Sequence, residues 1–241
     1  MPQFFVTSLP DGQGRLVIQG TDFHHLARVR RARAGEVLSL RTADGALLAA
    51  RIASIGPDHL VAEIIDKKEA RPIPLNLTLC AALLKGKKFD TVIRKAVEIG
   101  VARIIPVESE RTVPEVGTRA DERRARWQRI ADEAAKQCLR HGLVGVERLH
   151  SFDEALGCCG DGVRMIAHPD ERAPGIREFR GEHGDATHAA VLVGPEGGFS
   201  AGEIDRARAA GWSMVSFGFT QMRAETAAMV LPALLIYEWS S

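Results

Sequence analysis

Residues 189–211 read AAVLVGPEGGFSAGEIDRARAAG. The first six are apolar without alternation, the pattern of a strand covered on both faces. They run into GPEGGFS, a turn with three glycines, a proline and one acid, Glu196. The helical stretch AGEIDRARAAG follows, and Ser200 with Glu203 forms an S-x-x-E capping box at its start. A buried strand, a glycine loop and a helix make the repeating unit of a parallel α/β sheet. Such sheets bind ligands at the carboxyl ends of their strands.

The same alternation extends both ways from this segment. LTLCAALL (77–84) is a second continuous apolar run, followed by GKKFDTVIRKAVEIGV (86–101), where Phe89, Val92, Ile93, Ala96 and Val97 fall at helical spacing. Strand ARIIPVE, a long helix from about Arg119 to Arg140, strand VERLH and a brief helix around Phe152–Leu156 come next. Strand VRMIAHP leads to the opening segment; after it come strand SMVSFG and a final helix from about Ala224. The first 70 residues differ. GRLVIQG, EVLSLRTA, ALLAARIASI and HLVAEIID alternate and are parted by turn signals at Asp11-Gly12, Asp44-Gly45 and Gly56-Pro57, as in a small antiparallel barrel. TDFHHLARVRRARAGE (21–36) reads as a helix capped by Thr21 or Asp22 and ended near Gly35. The prolines of EARPIPLN (69–76) mark a linker, which predicts domains 1–71 and 72–241.

Composition sets the outer limits. Hydrophobic residues make up 45% and charged residues 26%, an ordinary globular balance. The net charge of +1 leaves nucleic-acid binding to local patches. The start MPQFFVTSLPDGQG lacks the basic, then apolar, pattern of a signal peptide. The longest apolar run, Ala227 to Tyr237, is too short to span a bilayer, so a cytoplasmic protein is expected. Cys80, Cys138, Cys158 and Cys159 show no CxxC pair and no metal-ligand spacing, so no metal is expected. The adjacent Cys158 and Cys159 read as small buried or loop residues.

Three strand ends carry candidate loops: AHPDER, GPEGGFS and FGFTQMRAET. GPEGGFS is neither a Walker loop, which needs a Lys before Ser/Thr, nor a GxGxxG loop. Its carboxylate would repel a polyphosphate. Gly194, Gly197 and Gly198 permit close backbone approach to a flat ligand, and Glu196 tolerates a cationic or hydroxyl-bearing one. A plain tight turn is the structural alternative. In FGFTQMRAETAAMVLPALL, Arg223 stands at a helix start, with Glu225 and Thr226 in the first turn. Each also has a purely structural reading: Glu225 complements the helix dipole, Thr226 satisfies an amide, and Arg223 pairs with Glu225 or Glu196.

Together, VGPEGGFS (193–200) and MRAETAAM (222–229) resemble the RsmE family of the SPOUT methyltransferase superfamily, where hydrophobic-GPEGG and LRxETA are typical. KGKKFDTVIRKAVEIGV (85–101), SERTV (109–113) and HHLARVRRARAGE (24–36) support the match over nearly the whole chain. The resemblance implies transfer of methyl from S-adenosylmethionine to N3 of a uridine in 16S rRNA, a C-terminal trefoil knot, a PUA-like N-terminal domain and a homodimer. It places the cofactor against Val193, Gly194, Pro195, Glu196 and Gly197 on the glycine loop, and Phe217, Gly218, Met222, Arg223, Ala224 and Thr226 on the second loop. The AHP loop, with His168, makes a third wall. Arg223 is the candidate cation for the uracil oxygens, and Glu196 or Glu225 either orients it or accepts the N3 proton. There are departures. The usual LGPRILRTETA is FGFTQMRAETA here, an SGR is replaced by Cys138-Leu139-Arg140, and Pro232 interrupts the last helix, which implies either a kink near Ala228 or a bond lost at a protected interface.

Arg28, Arg30, Arg31 and Arg33 form a basic cluster without an acid, and Lys85, Lys87 and Lys88 lie in a second one with Arg94 and Lys95. Both suit RNA phosphates, and both also fit solvated helix faces. Two other functions remain open: a SPOUT 2′-O-ribose methyltransferase, and an RNA- or ribosome-binding protein without catalysis.

Overall fold

The computed structural model describes all residues except 1–2, 7–9, 43–45, 69–73, 114–119, 139–141, 161, 169–171, 219 and 241, and the side chains of 3 and 5. The expected linker boundary at 71–72, the Asp44-Gly45 turn, Pro169, Phe219, Leu139 and Arg140 therefore lie outside the described residues. The chain divides into two compact units, Met1–Pro72 with Ala135–Leu143, and Ile73–Ala134 with Val144–Ser241.

The first unit is a curled five-stranded sheet in the order β1-β3-β4-β5-β2. These strands are β1 (Gln3–Val6), β2 (Arg15–Gln19), β3 (Val37–Thr42), β4 (Leu47–Ile55) and β5 (His59–Lys68). The alternating segments form β2 to β5, paired antiparallel. β1 has no counterpart in the sequence reading, and it pairs parallel to β3. Register shifts between Ala49/Ala50 and Ile52/Ser54 interrupt the β4–β5 pairing, the kind of irregularity that bends a sheet. Leu16, Leu26, Leu38, Leu40, Leu48 and Leu60 fill its core. The expected helix over 21–36 is shorter and of another kind. Helix α1 (Gly20–Phe23) has no side-chain cap and passes into a π-helical turn, His24–Val29. Wide bonds from the Arg30 N–H to the His25 carbonyl (2.9 Å) and from Ala32 to Leu26 (3.0 Å) close it. They allow Phe23, Leu26 and Ala32 all to be buried in the core, while Arg31 takes a left-handed φ of 55° and ends the turn.

The second unit is a parallel sheet in the order β12-β10-β11-β6-β7-β8, with β9 also on β7. Its strands are β6 (Asn76–Ala82), β7 (Arg103–Glu108), β8 (Gly145–Val146), β9 (His150–Ser151), β10 (Val163–Ala167), β11 (His188–Val193) and β12 (Ser213–Val215). The helices are α2 (Lys88–Ile99), α3 (Ala120–Gln137), α4 (Phe152–Gly157), α5 (Ile176–His183), α6 (Ala201–Ala209) and α7 (Ala224–Trp239). The two continuous apolar runs are the central strands β11 and β6, hydrogen-bonded side by side with Leu192 opposite Cys80. On one face, Cys80, Ile105, Ala190 and Leu192 pack with Phe152 and Leu156 of α4 and Ile204 and Ala207 of α6. Helix α7 packs on β6 and β11 together with α2 and α5. Helix α5 is absent from the sequence reading. Helix α7 runs unbroken through Pro232, whose ring is buried, so the Ala228 carbonyl loses its helical donor without ending the helix.

Gly100 closes α2 at φ 118°, and a Cβ there would stand 3.3 Å from Cδ1 of Ile236 on α7. Gly100→Ala is expected to destabilise the protein by about 1–2 kcal/mol, the cost of a left-handed non-glycine residue. Gly157→Ala, in open space on α4, is the control that should not; urea unfolding of both variants checks the difference.

Candidate functional site

The carboxyl ends of β10, β11 and β12, with the first turns of α2 and α7, enclose a cavity of about 1290 Å³. One wall is the glycine loop. It leaves β11 at Val193, turns through a bond from the Gly198 N–H to the Pro195 carbonyl (2.9 Å), and needs Gly198 at φ 66°. Its far end is fixed by the expected capping box. Ser200 Oγ accepts from the Glu203 N–H at 3.1 Å, and Glu203 accepts from the Ser200 N–H at 2.8 Å. The buried Glu203 carboxylate also accepts from the Glu110 N–H at 2.9 Å. Arg111, next in the chain, donates to the Gly197 carbonyl at 2.9 Å. A Cβ on Gly197 would stand 3.4 Å from the Arg111 side chain, so the loop is seated closely on the segment after β7.

The second wall follows β12. The Ser216 N–H donates to the Pro174 carbonyl at 2.9 Å, and Gly218 turns the chain at φ 122°. Arg223 caps α7 through its extended backbone, with its side chain exposed. His168 supplies the third wall; its Nδ1 is buried and has no hydrogen-bond partner among the described residues.

The two loops meet at Lys88, in the first turn of α2. Its Nζ lies 3.3 Å from a Glu196 oxygen and 3.2 Å from a Glu225 oxygen. Glu225 and then Glu196 raise the Lys88 pKa. Burial pushes the Glu196 carboxyl up, but bonds from its own N–H and that of Lys85, and from the Lys88 ammonium, outweigh burial and hold it below its ordinary value. The Glu225 carboxyl is lowered by its own N–H, which outweighs burial with help from Lys88 and the Arg223 charge. All three groups are therefore charged at neutral pH.

Val193, Gly194, Pro195, Glu196, Gly197, His168, Phe217, Gly218, Met222, Arg223, Ala224 and Glu225 all line the cavity; Thr226, between Glu225 and Ala227, does not. The carboxylates close on Lys88 rather than on Arg223, which makes no ion pair among the described residues. Lys88, grouped with an exposed basic patch in the sequence, belongs to the cavity, whereas Lys85 and Lys87 are exposed. Arg111 and Ser216 are further lining residues that the sequence reading left without a role. The SERTV segment was the available signal for Arg111. In the first unit, Arg28, Arg31 and Arg33 are exposed, while Arg30 is half-buried, paired with Glu36 and 5.9 Å above the Phe4 ring.

A parallel sheet with a cavity at the carboxyl ends of its strands defines an α/β protein that binds its ligand where the strands end. Residues 71–236 match the model of the RNA methyltransferase domain, and residues 18–65 that of the RNA methyltransferase PUA domain. The chain is 30% identical over 208 residues to ribosomal RNA small subunit methyltransferase E 2 of Borreliella burgdorferi, covering 85% of this chain and 84% of that one. It is 27% identical over 228 residues to the methyltransferase E of Bacillus subtilis, covering 92% and 89%. The crystal structure of the Neisseria gonorrhoeae enzyme bound to S-adenosyl methionine superposes with a TM-score of 0.86 at 29% identity, over 99% of this chain and 98% of that one. The chain belongs to the ribosomal RNA small subunit methyltransferase E family.

Because the carboxylates titrate below their ordinary range and Lys88 above its own, the bridge persists through neutrality and opens as acid protonates Glu196 and Glu225. Lys88→Met should move the titration of both carboxyls upward in a ¹³C NMR experiment on labelled glutamate. Unchanged titration would show that Lys88 is not their counter-ion.

Proposed function

We propose that this protein methylates N3 of a uridine in the 16S rRNA of the small ribosomal subunit, with S-adenosylmethionine as methyl donor. The observation that carries the reading is the cavity where the glycine loop and the RAET turn meet, in a chain of this family. When bound, S-adenosylmethionine supplies an electrophilic methyl group on a sulfonium. Its adenosine and methionine parts carry no phosphate, and the glycine loop presents the Glu196 carboxylate, which repels one. Gly218 lines the cavity and has open space where a Cβ would stand, so backbone can approach a flat ring. Val193, Phe217, Met222 and Leu231 give apolar surface around it.

Uracil N3 carries a weakly acidic proton between two carbonyls, and its anion spreads charge onto O2 and O4. Arg223 faces the cavity without an ion-pair partner among the described residues and is the group that holds this charge. Glu196 and Glu225 are bound to Lys88 and held in the carboxylate form, which makes them weak acceptors for the N3 proton. Their role is to fix Lys88 and thereby the two loops. Arg28, Arg31 and Arg33, with Lys85 and Lys87, contact RNA phosphates. A homodimer joined in part through α7 fits the exposure of Leu234 and Tyr237 on that helix. The trefoil knot and a cytoplasmic location complete the reading.

Arg223→Ala should keep S-adenosylmethionine binding, read by calorimetry, while lowering turnover by about 10²–10³-fold, as for loss of an oxyanion donor. Unmodified small subunits incubated with the wild-type protein and S-adenosylmethionine should yield N3-methyluridine by nucleoside mass spectrometry. A 2′-O-methylated product would assign the protein to ribose methylation. Cofactor binding with no product on any ribosomal RNA would leave a binding protein.

A further inference from the structure

Cys80 and the adjacent pair Cys158 and Cys159, far apart in sequence, lie in one cluster on a face of the central sheet. Cys80 is fully buried in β6, between β7 and β11, on the face covered by α4 and α6. Cys158 and Cys159 follow the last turn of α4 and are partly exposed. The Sγ atoms of Cys80 and Cys159 are 3.6 Å apart, and both residues are free thiols. A disulfide requires an S–S distance of roughly 2.0 Å, so closure asks the two sulfurs to approach by roughly 1.6 Å.

The surroundings of the two thiols differ. The hydrogen bond between the two sulfurs, in which either can be the donor, lowers the Cys159 pKa, and the Arg103 and Arg164 charges act in the same direction against its burial. Arg103 also donates to the Cys158 carbonyl, which holds the turn in place. The Cys80 thiol is pushed well up by that same hydrogen bond and by burial. Cys159 is thus the partly exposed residue of the pair and Cys80 the fully buried one, so an oxidant meets Cys159 first.

We propose that Cys80 and Cys159 form a hydroperoxide-reactive dithiol site, in which Cys159 is oxidised first and Cys80 resolves it to a disulfide. The Cys159 thiolate attacks one oxygen of the hydroperoxide; an S–O bond forms, the O–O bond breaks, and the leaving oxygen departs as water or alcohol after taking a proton. Cys80 sulfur then attacks the Cys159 sulfenic acid. An S–S bond forms, the S–O bond breaks, and water leaves with the Cys80 proton. Two thiols lose two electrons, and the peroxide gains them. The product ties the end of α4 to strand β6. Phe152, the first residue of α4, packs edge-on to Phe199 with ring centroids 5.3 Å apart, and Phe199 closes against Gly194 of the glycine loop. The crosslink therefore stiffens the floor beneath that loop. Neither cysteine lines the methyl-transfer cavity.

The test is exposure of the folded, full-length protein to a few equivalents of hydrogen peroxide, followed by thiol counting and peptide mapping. The expected result is loss of two of the four thiols and a single Cys80–Cys159 linked peptide, reversed by dithiothreitol. Cys80→Ala should leave a Cys159 sulfenic acid that a dimedone probe traps, and Cys159→Ser, at the looser turn, should abolish both species. A Cys158–Cys159 link, an intermolecular link through Cys138, or retention of all four thiols would overturn the assignment; the wild-type map alone decides it if Cys80→Ala does not fold.

Discussion

Lys88 stands between two carboxylates that the chain brings from opposite directions, Glu196 on the loop after β11 and Glu225 in the first turn of α7. Two carboxylates facing one cavity repel each other unless a cation lies between them. The ammonium supplies that cation from a third element, the start of α2, so one side chain ties the glycine loop, α2 and α7 together. Each ion pair is partly exposed, and such pairs contribute modestly when isolated. Their weight here comes from connection. The same glycine loop is held on its other side by Arg111 on the Gly197 carbonyl, and at its end by the Glu203 carboxylate, which binds Ser200 and Glu110. The cavity is thus framed by polar contacts between segments distant in sequence, while the sheet beneath supplies the apolar foundation.

The parallel architecture was legible because β6 and β11 are buried on both faces and must be continuously apolar. The glycine loop and its capping box were equally plain, since both are local patterns. The order of the strands was not, because parallel pairing joins segments that periodicity treats separately. Helix α5 carries little periodic signal, because IREFRGEH offers only Ile176 and Phe179 as apolar marks. Strand β1 is short, and its parallel partner β3 begins more than thirty residues later. In the basic insert, helical spacing predicts an ordinary α-helix, whereas burial of Phe23, Leu26 and Ala32 selects a wider turn. The unbroken passage of α7 through Pro232 depends on packing against α2, α5 and the sheet, which one-dimensional propensity does not register.

The site shows the same division. Most lining residues on the two loops are ones that the family resemblance of VGPEGGFS and MRAETAAM implies, while Phe199, Ser216, Thr220 and Gln221 are not. The role of Lys88 was hidden, since it sits among lysines that look alike and its partners are 108 and 137 residues away. Arg223 was expected to take those partners and instead keeps its guanidinium exposed at the cavity wall. The pairing of Cys80 with Cys159 is likewise a product of tertiary structure, with 79 residues between the two sulfurs.

Hydrogen exchange read with and without S-adenosylhomocysteine, the stable product of methyl donation, tests most directly that these two loops form the cofactor site. Amides of 194–199 and 216–227 should gain protection together on binding, and Lys88→Met should weaken the gain on both segments at once. Protection confined to the smaller hollow lined by Arg177, Arg180 and Tyr237, or to one loop alone, would contradict it.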